Sequence, residues 1–365
     1  MTTSRLPADV ANRAERLAAA RAEFDAEVTY LNTATLGLPP RRSWAALQDA
    51  LTDWRAGTAD PVAYDVPLAA ARSAYARLVS VPSSAVAVGS QVSAFAGLVA
   101  ASLADGSEVL TAEGDFTSIL FPFHAQVRRG VTVRAVPLAR IADAVTPATT
   151  LVSVSAVQSA DGRVADLDAL RAACAANGTP ILLDVTQAVG WFPVDASGYA
   201  YTVCAGYKWL LNPRGTAFCT VRPAFMDGLI PHAAGWYAGD QPWSSIYGGP
   251  LRLAPDARRF DLSPAWHSWV AAAPALELLA DLGTAALHSH AVNLADRFCV
   301  DMGLPSRGSA IVSLAVDDGA AQAMDAARIM GSVRAGRLRL SFHVSTSEQD
   351  VDHAIDVLGR HVLPG

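Results

Sequence analysis

Between about residues 85 and 225, short apolar runs alternate with longer alanine-rich stretches of helical spacing. The runs are Ala85 to Val88, Glu108 to Thr111, Thr132 to Val136, Thr150 to Val157, Pro180 to Asp184 and Tyr201 to Cys204. Runs of this length, bounded by turn residues, fit strands buried on both faces, and their alternation with helical patterns predicts βα units and a mostly parallel sheet. The stretch from Thr150 to Asp184 is the clearest unit. It reads as a β-branched strand, a polar turn at Gly162, a helix that Asp166 caps and Asn177-Gly178 ends, and a new strand from Ile181.

Ahead of this region, Pro7, Val10, Arg13, Leu17, Arg21 and Phe24 carry helical spacing over residues 7 to 27. A polar stretch from Tyr30 then ends at the turn Gly37-Leu38-Pro39-Pro40. Leu78 to Ala104 has no charged residue and is long enough to span a bilayer. Its Pro82, Gly89, Gln91 and six serines instead predict a buried strand, a polar turn and a helix. After about residue 225 come Gly-, Pro- and Trp-rich loops (Gly235-Trp236 through Pro250), then long helical patterns and a final strand and helix. The expected division is a helical segment over 1–29 packing with the small domain, a large α/β domain over 30–250 and a smaller α+β domain over 251–365, with the boundary near 245 to 265. No internal repeat is visible.

A length of 365 residues exceeds the size at which one core usually stops growing, in keeping with two domains. With 17% charged residues and a net charge of -6, the chain offers no broad basic surface for nucleic acid. Cys174, Cys204, Cys219 and Cys299 have no paired spacing, and no apolar segment follows the basic start. That argues against disulfides and secretion, and for a reducing cytoplasm. Neither G-x-G-x-x-G nor G-x-x-x-x-G-K-[ST] occurs, which removes the main support for dinucleotide and P-loop chemistry. His288 and His290 stand two apart with no cysteine or carboxylate cluster nearby, so they read as surface histidines and no metal is expected.

Asp184 is an acid at the C-terminal tip of a buried strand, where open α/β sheets put their ligands, although a helix cap reads equally well. Lys208 stands alone among apolar and aromatic residues in Cys204-Ala205-Gly206-Tyr207-Lys208-Trp209-Leu210. Burial lowers a lysine's pKa, the condition for a nucleophilic amine near neutrality, while a snorkelling surface lysine is the plainer alternative. The pair is more specific than either member: Asp-x-x-Gln (Asp184 to Gln187), then one strand, then Lys208.

In these residues the chain resembles the class V aminotransferase family, the cysteine desulfurase and kynureninase group of fold-type I enzymes dependent on pyridoxal 5'-phosphate (PLP). The resemblance covers nearly the whole chain. It implies that Lys208 carries PLP as a Schiff base, that Asp184 pairs with the pyridine nitrogen and that Gln187 touches the ring hydroxyl. Tyr207, like the kynureninase tyrosine before the lysine, would bond the phosphate. Gln91 and Val92, in Val88-Gly89-Ser90-Gln91-Val92-Ser93 before an Ala-rich helix, would present backbone amides to the same anion. Phe116, in Asp115-Phe116-Thr117-Ser118, would stack on the ring, although a core role is as good a reading. Gln158 would sit beside the cofactor hydroxyl and the substrate. Ser263, in Arg259-Phe260-Asp261-Leu262-Ser263-Pro264, would reach the partner subunit's phosphate, which implies a homodimer with shared sites. Arg339, in Leu338-Arg339-Leu340-Ser341-Phe342-His343, would take the carboxylate of an amino-acid substrate.

Desulfurases of this family carry a nucleophilic cysteine shortly before that arginine, and residues 300 to 343 contain none. Cys299, in a helical pattern, is expected to pack as a small apolar residue. The resemblance therefore implies a PLP-dependent carbon-sulfur β-lyase on a cysteine S-conjugate, most like the branch that cleaves hercynylcysteine sulfoxide in ergothioneine biosynthesis. Trp236, Trp243 and Trp266 could cage that substrate's trimethylammonium group, although core or interface packing is their more general role. A kynureninase-like hydrolase or an aminotransferase would use the same Asp184 and Lys208. A non-catalytic binding protein on this fold is the reading from another class.

Overall fold

Seven strands build the central sheet of this computed structural model, which describes residues 8–363. They are β1 (Val86–Gly89), β2 (Glu108–Ala112), β3 (Thr132–Val136), β4 (Thr149–Ser155), β5 (Ile181–Asp184), β6 (Tyr201–Ala205) and β7 (Ala217–Val221). Their spatial order is β1-β7-β6-β5-β4-β2-β3. β7, which the reading of apolar runs leaves out, is antiparallel to both of its neighbours, and every other pairing is parallel. Six strands therefore run the same way, and their C-terminal ends share one edge of the sheet.

Both faces of the sheet are covered, as parallel strands require. On one side lie α2 (Arg41–Ala56), α3 (Asp65–Leu78) and α6 (Trp266–Leu282). There Tyr75 of α3 stacks on Phe218 of β7 with ring centroids 4.1 Å apart, and Trp269 meets the same ring edge-on at 5.3 Å. On the other side α4 (Val92–Ser102) buries Phe95, Leu98 and Val99 with Ala87, Val203 and Cys219 of the sheet. The helix α5 (Leu167–Asn177) begins at Asp166, whose carboxylate accepts the Ala169 N–H at 3.0 Å, and ends at Gly178 with a φ of 66°. The charge-free stretch from Leu78 to Ala104 becomes the end of α3, a turn, β1 and α4. Among the described residues no single helix is long and apolar enough to cross a membrane.

The C-terminal part builds a second, antiparallel sheet from β8 (Ile311–Leu314), β9 (Ser332–Arg334) and β10 (Arg337–Ser341), in the order β9-β10-β8. Helices α7 (Thr284–Asp301) and α8 (Glu348–Leu358) close it over Phe298, Leu340, Phe342 and Leu358. The leading helix α1 (Ala8–Arg21) stops short of Phe24, and Pro7 of its expected pattern lies outside the described residues. Arg16 of α1 donates to the Asp281 carbonyl at the end of α6, whereas Thr29-Tyr30 pairs in parallel with Ile329-Met330 beside the small sheet.

The histidines expected at the surface are half-buried instead, because α7 packs against two loops. His288 stacks on Trp191, with its Nδ1 at 3.2 Å from the Trp191 carbonyl. His290 Nε2 lies 3.2 and 3.1 Å from the carbonyls of His343 and Thr346.

A buried ion pair fastens the segment after residue 256 to the sheet. Arg72 of α3 holds Asp261 through contacts of 2.6 and 3.1 Å and also donates to the Val86 carbonyl at 2.5 Å. Asp261 accepts the Val88 N–H at 2.8 Å, and the Leu262 N–H donates back to the Val88 carbonyl at 2.9 Å. The outer edge of β1 is thus occupied. Removing one partner leaves the other charge buried and alone, so Asp261→Ala should lower the unfolding free energy by about 3–5 kcal/mol. Urea denaturation followed by far-UV circular dichroism checks this, and a loss within about 1 kcal/mol would assign the pair a minor role.

Candidate active site

β5 is Ile181-Leu182-Leu183-Asp184, wholly buried, and its last residue emerges at the shared C-terminal edge. Asp184 is not a helix cap. Its Oδ1 accepts the Thr186 N–H at 2.8 Å, and among the described residues no protein group bonds its second oxygen. Burial pushes its carboxyl up to about 6 against the pull of Thr186, Asp115 adds to the rise, and Lys208 weakly opposes it.

Lys208 follows β6 in a tight loop, where Asn212 N bonds Gly206 O at 3.0 Å and Leu211 N bonds Lys208 O at 3.0 Å. Leu211 holds a φ of 62°, left-handed backbone that non-glycine residues seldom adopt. The polar stretch before Pro39 crosses this loop. Gly37 N donates to Tyr207 O at 2.9 Å, and a β-carbon on Gly37 would come 2.1 Å from Lys208 O, so only glycine fits the crossing.

The Lys208 side chain is 6% exposed, with Nζ 5.1 Å from the Phe116 ring centroid and 5.8 Å from that of Tyr207. Among the described residues no group accepts a hydrogen bond from it. Burial lowers its pKa to about 8; Asp184 works the other way, and the charges of Arg339 and Arg334 add to the fall.

Lys208 and Asp184 open into a cavity of about 270 Å³ whose wall also takes in Gln187, Gln91, Val92, Phe116 and Tyr207. Phe116, whose role was open between core and site, is 43% exposed on that wall. Gln91 begins α4 without capping it, so the first amides of that helix have no side-chain acceptor. Gln187 is heavily engaged. Its Nε2 donates to Ala34 O and Ser159 Oγ, both at 3.0 Å, and its Oε1 accepts the Trp209 indole at 2.7 Å. Both amide hydrogens are committed, and what remains free can only accept a hydrogen bond.

Three expected site residues do not line the cavity. Gln158 turns to Asp115 at 3.3 Å. Ser263 is exposed beyond the Asp261 anchor. Arg339 is 1% exposed and reaches the rim through Ser159, which does line it. Its Nη2 donates to Thr35 Oγ1 at 2.7 Å, its Nε is buried without a partner, and it forms no ion pair among the described residues. Burial, then the charge of Arg334, depresses its pKa to about 10.

The sequence reading missed Arg214 and Asp115. Arg214 lies on the wall with its guanidinium 4.4 Å over the Tyr207 ring and no ion pair among the described residues. A lone arginine before Gly215 in the loop after Lys208 was the available signal. Asp115 is buried beneath the cavity and accepts from Ser155 N at 2.8 Å, Ser155 Oγ at 2.5 Å and Phe116 N at 2.7 Å. It therefore fixes the backbone of Phe116. The tryptophans suggested as a cage pack on one another: Trp236 and Trp243 lie 5.0 Å apart, and Trp243 donates to Asp65 at 2.7 Å. Trp266 stacks on Tyr64 at 5.7 Å. Among the described residues no cluster of histidine, cysteine or carboxylate groups could hold a metal.

The arrangement offers an amine poised as nucleophile and base, a carboxylate with a free oxygen, cationic groups for anions and an aromatic cover. The depressed pKa of Lys208 also carries a stability cost, present while the amine is charged in both states. Lys208→Met should stabilise the protein free of any bound group by about 3 kcal/mol at pH 7. The gain is full below pH 8 and fades as pH rises from about 8 toward the ordinary lysine value of 10.5. Urea midpoints at pH 7 and pH 10 test the sign, and destabilisation at pH 7 would mean that Lys208 is ion-paired.

Comparison with known proteins gives a consistent set of relatives. The family model described as "Aminotransferase class-V" matches residues 68–303. An uncharacterized aminotransferase of Bacillus subtilis, YcbU, is 27% identical over 80% of this chain and 83% of its own. The kynureninase of Deinococcus radiodurans is 29% identical over 80% of this chain and 75% of its own. Among solved structures, a mutant of C-DES with glycine covalently linked to its PLP cofactor superposes with a TM-score of 0.84 at 21% identity, covering 93% of this chain and 99% of that one. The cystine C–S lyase C-DES in complex with its product cysteine persulfide gives 0.82 at 22% identity, over 92% and 98%.

Proposed function

The chain belongs to the class-V aminotransferase family, and from that premise we propose that it is a PLP-dependent carbon-sulfur β-lyase. Its substrate is a cysteine S-conjugate, hercynylcysteine sulfoxide, whose sulfur fragment becomes ergothioneine while the rest yields pyruvate and ammonia.

The cavity's own groups fit the family's cofactor. A buried amine without a partner, a carboxylate with one free oxygen, and uncapped amides of α4 beside an unpaired arginine match the aldehyde, the ring nitrogen and the phosphate of PLP. Bound there, PLP supplies an electron sink for the pair left at Cα when a proton is removed. Asp184 holds the ring nitrogen's proton, Gln187 accepts from the ring hydroxyl with its free lone pair, and Phe116 covers the ring. Tyr207, Gln91, Val92 and Arg214 hold the phosphate. Arg339, buried and without a carboxylate, takes the substrate's carboxylate. The exposure of Ser263 on its own chain supports a role at a second copy's site, and hence a homodimer.

Lys208 removes the Cα proton, a task suited to an amine whose pKa lies near 8. The Cβ–S bond then breaks, its electron pair goes to sulfur, and the sulfur fragment departs as a sulfenate that takes up a proton to become a sulfenic acid. The three-carbon fragment takes up water to give pyruvate and ammonia, and two equivalents of a thiol reductant bring the sulfenic acid to the thione, leaving as a disulfide and water.

The observation that carries elimination over desulfuration is the state of the cysteines. All four are buried, and none lies on the cavity wall. Burial pushes Cys174 and Cys299 up to about 11 and Cys204 and Cys219 above the thiol range too. A persulfide carrier needs an accessible thiolate. Cys299 packs with Phe298 and Leu294 in the small core, as a small apolar residue would. The kynureninase and aminotransferase relatives favour a second reading, hydrolysis of kynurenine or transamination with the same Lys208 and Asp184.

The test incubates PLP-loaded protein with hercynylcysteine sulfoxide and a thiol reductant, following pyruvate and ergothioneine. Equal yields of both are expected, with kcat about 10³-fold lower or less in Lys208→Ala. Release of alanine from kynurenine, with no pyruvate from the sulfoxide, would transfer the assignment to the second reading.

A further inference from the structure

Arg334 has no part in the reading above, yet its position is unusual for a surface arginine. It ends β9, and the two-residue turn Ala335-Gly336 sets it directly opposite Arg337 of β10. Like charges facing each other across two strands destabilise a hairpin. The two side chains splay apart. Arg337 reaches back to Ser313, with its Nε 3.3 Å from Oγ and its Nη2 3.4 Å from the carbonyl.

Arg334 turns toward Arg339. Its Nη2 donates to Thr35 Oγ1 at 3.3 Å, and that same oxygen accepts Arg339 Nη2 at 2.7 Å. One hydroxyl therefore receives two guanidinium groups. Apart from Thr35, Arg334 bonds only the Val333 carbonyl, through Nη1 at 2.8 Å, and among the described residues neither Arg334 nor Arg339 meets a carboxylate. Both positive charges are felt at Lys208 and help lower its pKa.

Two guanidinium groups gathered on one neutral hydroxyl repel each other unless an anion joins them. Arg339 alone suffices for one carboxylate. We propose that Arg334 is a specificity-determining residue that binds a second carboxylate of the substrate, carried on the part of the molecule that leaves with sulfur. This rests on the reading that Arg339 takes the carboxylate beside the amine. The substrate class is then a dicarboxylic cysteine S-conjugate, and in the proposed sulfoxide the second carboxylate is that of the trimethylated histidine part.

A matched pair of thioethers tests this without requiring turnover. S-(3-carboxypropyl)-L-cysteine and S-butyl-L-cysteine differ only in a terminal carboxylate or methyl group. Each is titrated into PLP-loaded protein, and the Kd is read from the change in cofactor absorbance. Wild-type protein should bind the acid about tenfold more tightly or better. Arg334→Gln should bring the ratio of the two constants near one, Arg334→Lys should restore part of it, and Arg339→Gln should weaken both ligands. Arg334 is exposed, and circular dichroism verifies that its variants fold.

A wild-type ratio near one, a ratio kept in Arg334→Gln, or failure of both thioethers to bind at millimolar concentration would overturn the proposal. Failure of the lyase reading has a different signature, absence of pyruvate from the sulfoxide while the binding ratio and its dependence on Arg334 persist.

Discussion

Lys208 and Asp184 face one cavity from neighbouring strand ends, each stripped of water and neither paired with the other. Desolvation disfavours the charged form of both, so their titrations move toward each other, the lysine down to about 8 and the aspartate up to about 6. A direct ion pair between them would relieve both shifts. The fold prevents it by fixing the aspartate to Thr186 and by carrying the lysine on a loop that crosses beneath Gly37. Each group keeps a vacancy in its bonding, and each vacancy faces the same space.

Much of the surrounding structure maintains that separation. The parallel strands bring Asp184, the entry to α4 and the Lys208 loop to one edge, while β7 reverses direction and leaves room for that loop. Gln187 then acts as a joint. Through Ala34, Ser159 and Trp209 it connects the N-terminal loop, the exit of β4 and the lysine loop, and Ser159 extends the connection to Arg339 of the small sheet. Shifting any one of these segments would therefore move the others. On the far side, Arg72 and Asp261 perform a similar task for the segment that carries Ser263.

The parts of this arrangement that follow local rules were legible in the sequence. Five of the six strands expected between residues 85 and 205 lie within a residue of their apolar runs, because buried strands leave a period-free apolar signature, with the edge strand β3 partly exposed. The sixth ends at Ser155, two residues before its run does. Asp184 stood out as an acid at the tip of a buried strand and Lys208 as a lone charge among apolar and aromatic residues, with one strand between them. What stayed hidden depends on side-chain direction or on contacts distant in sequence. Gln158 and Asp115 are forty-three positions apart, and nothing local says that they bond. Arg214 reads as an ordinary loop arginine until its guanidinium is found over Tyr207. The histidines of α7 look solvent-facing because helical spacing identifies the face of a helix, not the loops that will cover it.

The electrostatic balance of the site also differs in sign from that of the chain. The protein carries a net charge of -6, yet Lys208, Arg214 and the N-terminus of α4 meet at one cavity, Arg339 stands behind its rim on Ser159, and Asp184 is the acid on its wall. Charges held partly out of water are screened little by salt, so this excess acts at close range, while the rest of the surface repels anions at a distance. A small anion able to enter gains most where the protein loses most, beside guanidinium groups that have only hydroxyls and carbonyls for company. Their incomplete bonding destabilises the empty fold and strengthens the occupied one. The same groups can remain unpaired because the rigid sheet edge, its loops and the small-sheet hairpin are stable enough to hold them there.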